Sequence, residues 1–104
     1  MLNINMEYIY GILFVRLTGS LNKSTCFKLT DTLIPMIVKE GIRNLVYNFD
    51  ELLTIDDIGA ESLLKGYNAV VNNDGNVLAV NNRFNISFLK EIKNELTALR
   101  LLKI

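Results

Sequence analysis

The sequence predicts an α/β fold, with a mixed central sheet of four to five strands and helices packed on it. Stretches rich in Ile, Val, Tyr and Phe alternate along the chain with stretches whose apolar residues recur at helical spacing. Two opening strands are followed by helix, strand, helix, strand and helix, an order that requires crossovers between parallel strands. The 104 residues, 50% of them hydrophobic, suit one domain over residues 1–104.

The first two strands are predicted at residues 3–10 and 12–18, which are rich in β-branched and aromatic residues and are separated by a turn. Residues 19–22 follow as a loop. In and just after this loop, Asn22 or Ser24 is suited to cap the next helix, because both side chains accept hydrogen bonds from backbone N–H groups.

The first helix is predicted over residues 23–40 and ends at Gly41. Pro35 lies inside it and lacks a backbone N–H, so a kink or a break is expected there. Cys26 is the one cysteine of the sequence, which excludes an internal disulfide. It lies on the apolar face of this helix and is interpreted as a core residue.

The second half of the chain continues the alternation of strands and helices. The predicted elements are a buried strand at 44–49, a loop at 50–58, a helix at about 60–71, a strand at 77–80 and a helix at 87–96. The end, residues 99–104, is apolar and compatible with a helix or a closing strand. Lysines and glutamates interleave along residues 90–103, which favours a solvated helix face there.

Composition excludes several functions. Lys+Arg and Asp+Glu both number 11, and this balance argues against a nucleic-acid partner. No stretch approaches the roughly 20 apolar residues of a membrane span, so we expect a cytoplasmic protein with no membrane partner. The sequence has no histidine, which removes imidazole bases and His-ligated zinc. No catalytic residue and no cofactor is assigned, and a small carboxylate-dependent enzyme is the least favoured hypothesis.

A recognisable pattern runs from residue 45 to residue 64. An apolar strand ends near Asp50, a short apolar loop reaches Ile55, Asp-Asp-Ile-Gly follows at 56–59, and a helix continues as Ala-Glu-Ser-Leu-Leu. Gly-Ser-Leu-Asn at 19–22 precedes this pattern and Leu-Thr-Ala-Leu at 96–99 comes after it. In this order, the segments resemble the STAS domain (sulfate transporter and anti-sigma-factor antagonist), whose signature is Asp-Ser-Ser-Gly before a helix.

The resemblance implies a STAS fold and a non-catalytic, protein-binding role in transcription regulation. It also implies a partner, a GHKL-type anti-sigma kinase or a related regulator. In the anti-sigma-antagonist branch, this kinase phosphorylates the serine just before the glycine, which releases the partner. Here that position is Ile58, which has no hydroxyl, and the preceding serine is Asp57. We therefore expect no phosphorylation at the usual site, although Thr54 and Ser62 carry hydroxyls nearby.

The predicted partner-binding surface combines the loop after the second strand with the start of the second helix. Its residues are Ser20, Asn22, Ser24, Thr54, Asp56, Asp57, Ile58, Gly59 and Ser62. For Asp57, a helix-capping carboxylate is favoured over a permanent charge that replaces phosphate. For Ile58, a partner contact and packing against its own core are equally supported. A partly exposed Ile58 is expected in the first case.

Two alternatives concern this region. The acidic residues Asp50, Glu51, Asp56 and Asp57 could suggest a Mg²⁺ site, but the sequence lacks the other residues of such a site. A solvated acidic loop is favoured, and no metal is assigned. The second functional hypothesis is structural: a diverged STAS domain that self-associates as a homo-oligomer without any switch.

Overall fold

The computed structural model describes residues 1–102, and it confirms the mixed α/β class. The elements are β1 (Leu2–Ile9), β2 (Ile12–Leu21), α1 (Cys26–Glu40), β3 (Asn44–Ile55), α2 (Asp57–Val71), β4 (Asn76–Val80), β5 (Lys90–Ile92) and α3 (Glu95–Leu101). The strands of this region form one sheet in the order β1–β2–β3–β4–β5. β1 is antiparallel to β2, and the other neighbours are parallel. No helix within residues 1–102 has the length and apolarity needed to cross a membrane.

β1 and β2 form a hairpin with a two-residue turn. Tyr10 and Gly11 have φ angles of 49° and 79°, the left-handed values that match such a turn to the twist of the strands. The register then runs without interruption from Ile9 opposite Ile12 to Leu2 opposite Gly19. The turn predicted at this position is confirmed, and β1 carries no bulge.

β2 and β3 are both longer than the sequence predicts. They pair in parallel as far as Leu21 opposite Ile55, whereas the β3–β4 pairing ends at Asn48. The predicted loops at 19–22 and 50–58 are therefore wrong over most of their length. Each strand supplies the backbone partners that the other needs, and this pairing overrides the weak strand propensity of these residues. The ends of β2 and β3 project beyond β4.

The sheet is covered on both faces. α1 and α2 pack against each other and against the face that carries Val15 and Tyr47, where the larger apolar cluster lies. The other face holds a smaller cluster around Phe14 and Val46, covered by Ala98 of α3. α1 runs without a break through Pro35, so the predicted break is absent.

The helix predicted at 87–96 is wrong. Lys90–Ile92 forms β5, which pairs in parallel with β4, and α3 begins only at Glu95. Asn82 is buried and holds the preceding loop: its side chain accepts from the N–H of Ile86 and donates to the carbonyl of the same residue. The end of the chain, left open between helix and strand, is helical through Leu101, and residues 103–104 lie outside the described residues.

Glu95 anchors α3 to the sheet. Arg16 of β2 donates from Nε and Nη2 to the two Glu95 carboxylate oxygens, each at 2.8 Å, and Asn48 donates to Glu95 from Nδ2 at 2.8 Å. These bonds, above all those from Arg16, lower the pKa of Glu95, and the bond to Glu95 raises the pKa of Arg16. The other charged residues of this segment, Lys90, Glu91, Lys93 and Arg100, are exposed, as a solvated face requires, and Glu95 is the half-buried exception among the described residues.

Tyr47 ties the sheet to α2. Its ring is buried, its hydroxyl donates to the carbonyl of Leu63 at 2.9 Å, and burial raises its pKa. Gly66 of α2 lies directly over this hydroxyl, and a Cβ at this position would collide with it and press on Leu33. The close contact between α2 and β3 therefore depends on a residue without a side chain.

Gly66→Ala is expected to lower the free energy of unfolding by about 1–2 kcal/mol, because overpacking costs more than the better helix propensity returns. The loss should be smaller in the Tyr47→Phe background, where the hydroxyl is absent. Urea unfolding of the parent, both single variants and the double variant measures this coupling. Strictly additive effects would contradict the proposed collision.

Candidate functional site

The candidate site lies where β2, β3 and α2 meet. Ser20 stands opposite Thr54 and Leu21 opposite Ile55 in the parallel ladder. The Thr54 hydroxyl donates to the Ser20 hydroxyl at 2.8 Å. The two segments that the sequence assigns to one surface are therefore adjacent in space.

Asp56 joins these segments by hydrogen bonds that we call the Asp56 clasp. Its carboxylate accepts from the N–H of Gly59 at 2.7 Å and from the N–H of Lys23 at 3.1 Å. Its own N–H donates to the carbonyl of Leu21 at 3.2 Å. The bond from Gly59 is the main cause of the lowered pKa of Asp56, because backbone donors favour the charged carboxylate.

The N-cap of α2 is Asp56, so the predicted capping role of Asp57 is wrong. Asp56 has an extended backbone, with φ −109° and ψ 179°, which directs its side chain toward the free N–H groups of the first turn. Asp57 is already the first helical residue and lies exposed. A negative charge there is still favourable, because it faces the positive end of the helix dipole.

Gly59 allows α2 to start against β2. A Cβ at this position would collide with the backbone carbonyl of Leu21 and crowd the side chain of Ile55. The φ angle of Gly59 is outside the left-handed range, so the requirement is for space rather than for a special backbone conformation. Gly59 is buried and fixes the position of its neighbour Ile58.

The turn before α1 is held by its own polar side chains. Asn22 accepts from the N–H of Ser24 at 2.9 Å, and the Thr25 hydroxyl accepts from the N–H of Asn22 at 2.9 Å. The same hydroxyl donates to the carbonyl of Ser20 at 2.8 Å. Thr25, without a side-chain capping bond, is the N-cap of α1. Capping by Asn22 or Ser24 is therefore wrong, because Asn22 closes the turn instead.

Arg83 supports the projecting end of β3 where β4 has already ended. Its guanidinium donates to the carbonyl of Phe49 at 2.6 Å and also to the carbonyl of Leu52. Because β4 has ended, no neighbouring strand donates hydrogen bonds to these carbonyls on this side of β3. Arg83 supplies the donors instead. No pattern in the sequence indicates this role for Arg83.

Two aliphatic side chains are exposed at the site. Ile58 is 42% exposed, which confirms the expected partial exposure, and Leu53 of β3 is 74% exposed. Leu53 was missed because its segment was interpreted as a loop; the alternation with buried Leu52 is the signal that could have found it. Ser62, by contrast, is buried and its hydroxyl donates to the carbonyl of Gly59, so it lies beneath the surface.

The acidic residues Asp50, Glu51, Asp56 and Asp57 are all exposed. Within residues 1–102, no group of three or more Cys, Asp or Glu residues is arranged to hold a metal ion. The Asp56 carboxylate is instead occupied by backbone N–H groups.

The sequence model of the STAS domain family matches residues 3–99. The chain belongs to the STAS domain family. Its fold is similar to that of the anti-sigma factor antagonist SpoIIAA in its unphosphorylated form, with a TM-score of 0.82 and 17% identity over 98% of this chain and 100% of that chain.

Two further solved structures show the same STAS fold. A putative anti-sigma factor antagonist from Thermotoga maritima has a TM-score of 0.82 at 10% identity, over 94% of this chain and 92% of that one. The Bacillus cell fate determinant SpoIIAA in its phosphorylated form has a TM-score of 0.74 at 17% identity, over 95% and 99%. The likeness covers nearly the whole of each chain.

Asp56→Ala is expected to lower the free energy of unfolding at about pH 7 more than Asp57→Ala, because Asp56 accepts the two clasp bonds. The folded pKa of Asp56 is below its unfolded value of about 3.9, so its contribution is complete above that value. It is lost as the pH falls through the folded pKa. Urea unfolding of the parent and Asp56→Asn should therefore give a stability difference that shrinks toward about pH 3. Equal losses for the two alanine variants would contradict the clasp.

Proposed function

We propose that this STAS domain is a non-catalytic regulatory module that binds another protein through the candidate site. The proposed partner is a GHKL-type anti-sigma kinase or a related regulator, and this function requires a cytoplasmic location. Membership in the STAS family and the fold of anti-sigma factor antagonists support the proposal. The single observation that carries it is the exposure of Leu53 and Ile58 on either side of the Asp56 clasp in the chain.

Leu53 and Ile58 are suited to a protein interface, because each exposes an aliphatic side chain. Aliphatic side chains that become buried on binding contribute through desolvation, while surrounding polar groups form the rim. In this proposal the rim is formed by the polar residues of the two segments that the Thr54–Ser20 bond and the Asp56 clasp join: Ser20, Asn22 and Ser24 from one, and Thr54, Asp56 and Asp57 from the other. The backbone beneath them is held by hydrogen bonds, so little order needs to be gained on binding.

The proposed module binds without the usual phosphorylation switch. A phosphate at a helix N-terminus would add about −1.5 to −2 charges to the surface. Ile58 offers no hydroxyl for this modification. Complex formation is then controlled by the concentrations of the two proteins and not by a covalent mark at this position.

Affinity capture from the native cell lysate, followed by mass spectrometry, tests the partner class. The parent chain should retain an ATPase of the histidine-kinase-like type, and a Leu53→Asp variant should not. Arg43→Ala is a matched control on an exposed residue outside the site. Retention of the ATPase by Leu53→Asp would contradict the site, and recovery of the bait alone would favour self-association.

Ile58→Ser is expected to weaken binding of the captured kinase by about 1–3 kcal/mol, the scale for losing a buried aliphatic contact. It also supplies a hydroxyl in the family's phosphoserine position, so addition of ATP should weaken binding further. Titration calorimetry with and without ATP measures both effects, and intact mass reports phosphate.

Asp57→Asn is the control for Ile58→Ser, because it alters the adjacent exposed residue without changing the apolar contact. Its affinity should stay close to that of the parent. Unchanged binding by Ile58→Ser, with or without ATP, would contradict the docking site. Stoichiometric phosphate on Thr54 of the parent would contradict binding without a switch, since residues 54–59 are expected to remain unmodified.

A further inference from the structure

β1 leaves one of its edges open. Within residues 1–102 it pairs with β2 alone, and it forms one end of the sheet. In a hairpin with a two-residue turn, the residues that flank the turn form a hydrogen-bonded pair, and such pairs then alternate with non-bonded pairs. Ile9 opposite Ile12 is the flanking pair. At the end of the hairpin away from the turn, the N–H of Ser20 donates to the carbonyl of Met1 at 2.9 Å, as expected if odd-numbered residues form the hydrogen-bonded pairs.

The alternation decides which backbone groups are unpaired. The odd-numbered residues of β1 direct their N–H and C=O groups toward β2. The even-numbered residues direct theirs away from the sheet: Leu2, Ile4, Met6 and Tyr8. These outward residues are spaced symmetrically about Asn5.

This edge lacks the features that prevent strand pairing. It has no proline, no lysine and no bulge, and its eight residues span about 27 Å. Its charged residue, Glu7, is held by Arg16 of β2 at 2.9 Å. The opposite edge of the sheet differs: β5 has three residues, of which Lys90 and Glu91 are charged and exposed. β1 is therefore the edge that accepts another strand.

We propose that β1 pairs antiparallel with β1 of a second copy of the chain, about a two-fold axis at Asn5. Leu2 then lies opposite Tyr8 of the second copy, and Ile4 lies opposite Met6 of the second copy. Every outward N–H and C=O of the four even-numbered residues gains a partner in this register. The two sheets become one continuous sheet.

The side chains are self-complementary in the same register. On the face toward α1 and α2, Ile4 and Met6 are half-buried and Tyr8 is 60% exposed. Pairing therefore places the Tyr8 ring against the apolar side chains of β1 in the second copy. On the other face, Asn5 meets Asn5 of the second copy, and Glu7 meets Asn3. No like charges stand opposite each other, which favours a second copy over an unrelated strand.

Pairing of a single strand buries less surface than a standard interface, so the expected dimer is reversible, with a dissociation constant on the order of micromolar. The interface comes near the candidate site at its Leu2 end, where the carbonyl of Met1 accepts from the N–H of Ser20, whereas Leu53 and Ile58 lie beyond β2, on β3 and α2. A loss of partner binding caused by substitutions of Leu53 or Ile58 is therefore distinguishable from a loss of dimer formation.

Sedimentation equilibrium of the full chain over rising concentration should show monomers converting to dimers. Met6→Pro removes an outward N–H without removing a β1–β2 bond, and it should weaken the dimer at least tenfold. Asn5→Asp keeps an acceptor for Arg16, whose Nη1 donates to Asn5 at 2.8 Å, but it sets two carboxylates opposite each other. It should weaken the dimer several-fold at low salt and less at high salt.

Amide hydrogen exchange identifies the interface directly. In the dimer, the amides of Leu2, Ile4, Met6 and Tyr8 should exchange more slowly than at concentrations where the chain is monomeric. A monomer at all concentrations, a dimer in which these amides exchange fast, or a dimer that Asn5→Asp leaves unchanged would each overturn the proposal. Protection of these amides only by a different protein would assign the edge to that protein instead.

Discussion

The parallel pairing of β2 with β3 is the constraint on which the rest of the structure depends. Because both strands continue past the end of β4, the turn before α1 and the start of α2 emerge side by side. Only then can Asp56 accept from the N–H groups of both segments. Arg83 and Gly59 complete this arrangement, the first by satisfying carbonyls of β3 and the second by leaving room for the carbonyl of Leu21.

The groups that shape the candidate site are different from the groups that it exposes. The surface is shaped mainly by backbone hydrogen bonds, the Asp56 carboxylate and an absent side chain at Gly59. The side chains of Leu53, Asp57 and Ile58 are left facing solvent. Substitutions at these exposed positions therefore change the chemistry of the surface, while the geometry beneath them is kept by other groups.

The sequence predicted what depends on local pattern: the α/β class, the order of most elements and the hairpin turn. It failed where non-local pairing decides. Residues 19–21 and 50–55 have the polar or mixed composition of loops, yet they are strands because each has a parallel neighbour. The apolar residues of segment 87–96 have a spacing that suits a helix, but pairing with β4 makes Lys90–Ile92 a strand.

Within the candidate site, too, the sequence predicted the segments involved but not the roles that depend on backbone conformation and strand pairing. Asp56 and Asp57 are chemically identical, and only the extended backbone of Asp56 makes it the cap. Leu53 is exposed because it alternates with buried Leu52 along β3, and the composition of residues 50–55 did not indicate a strand.

The exposure of Ile58 has a genetic consequence. Some isoleucine and serine codons differ by a single nucleotide, and the nearly half-exposed site leaves room for either side chain. The fold therefore accepts either isoleucine or serine at position 58, and one nucleotide change can add or remove a hydroxyl there.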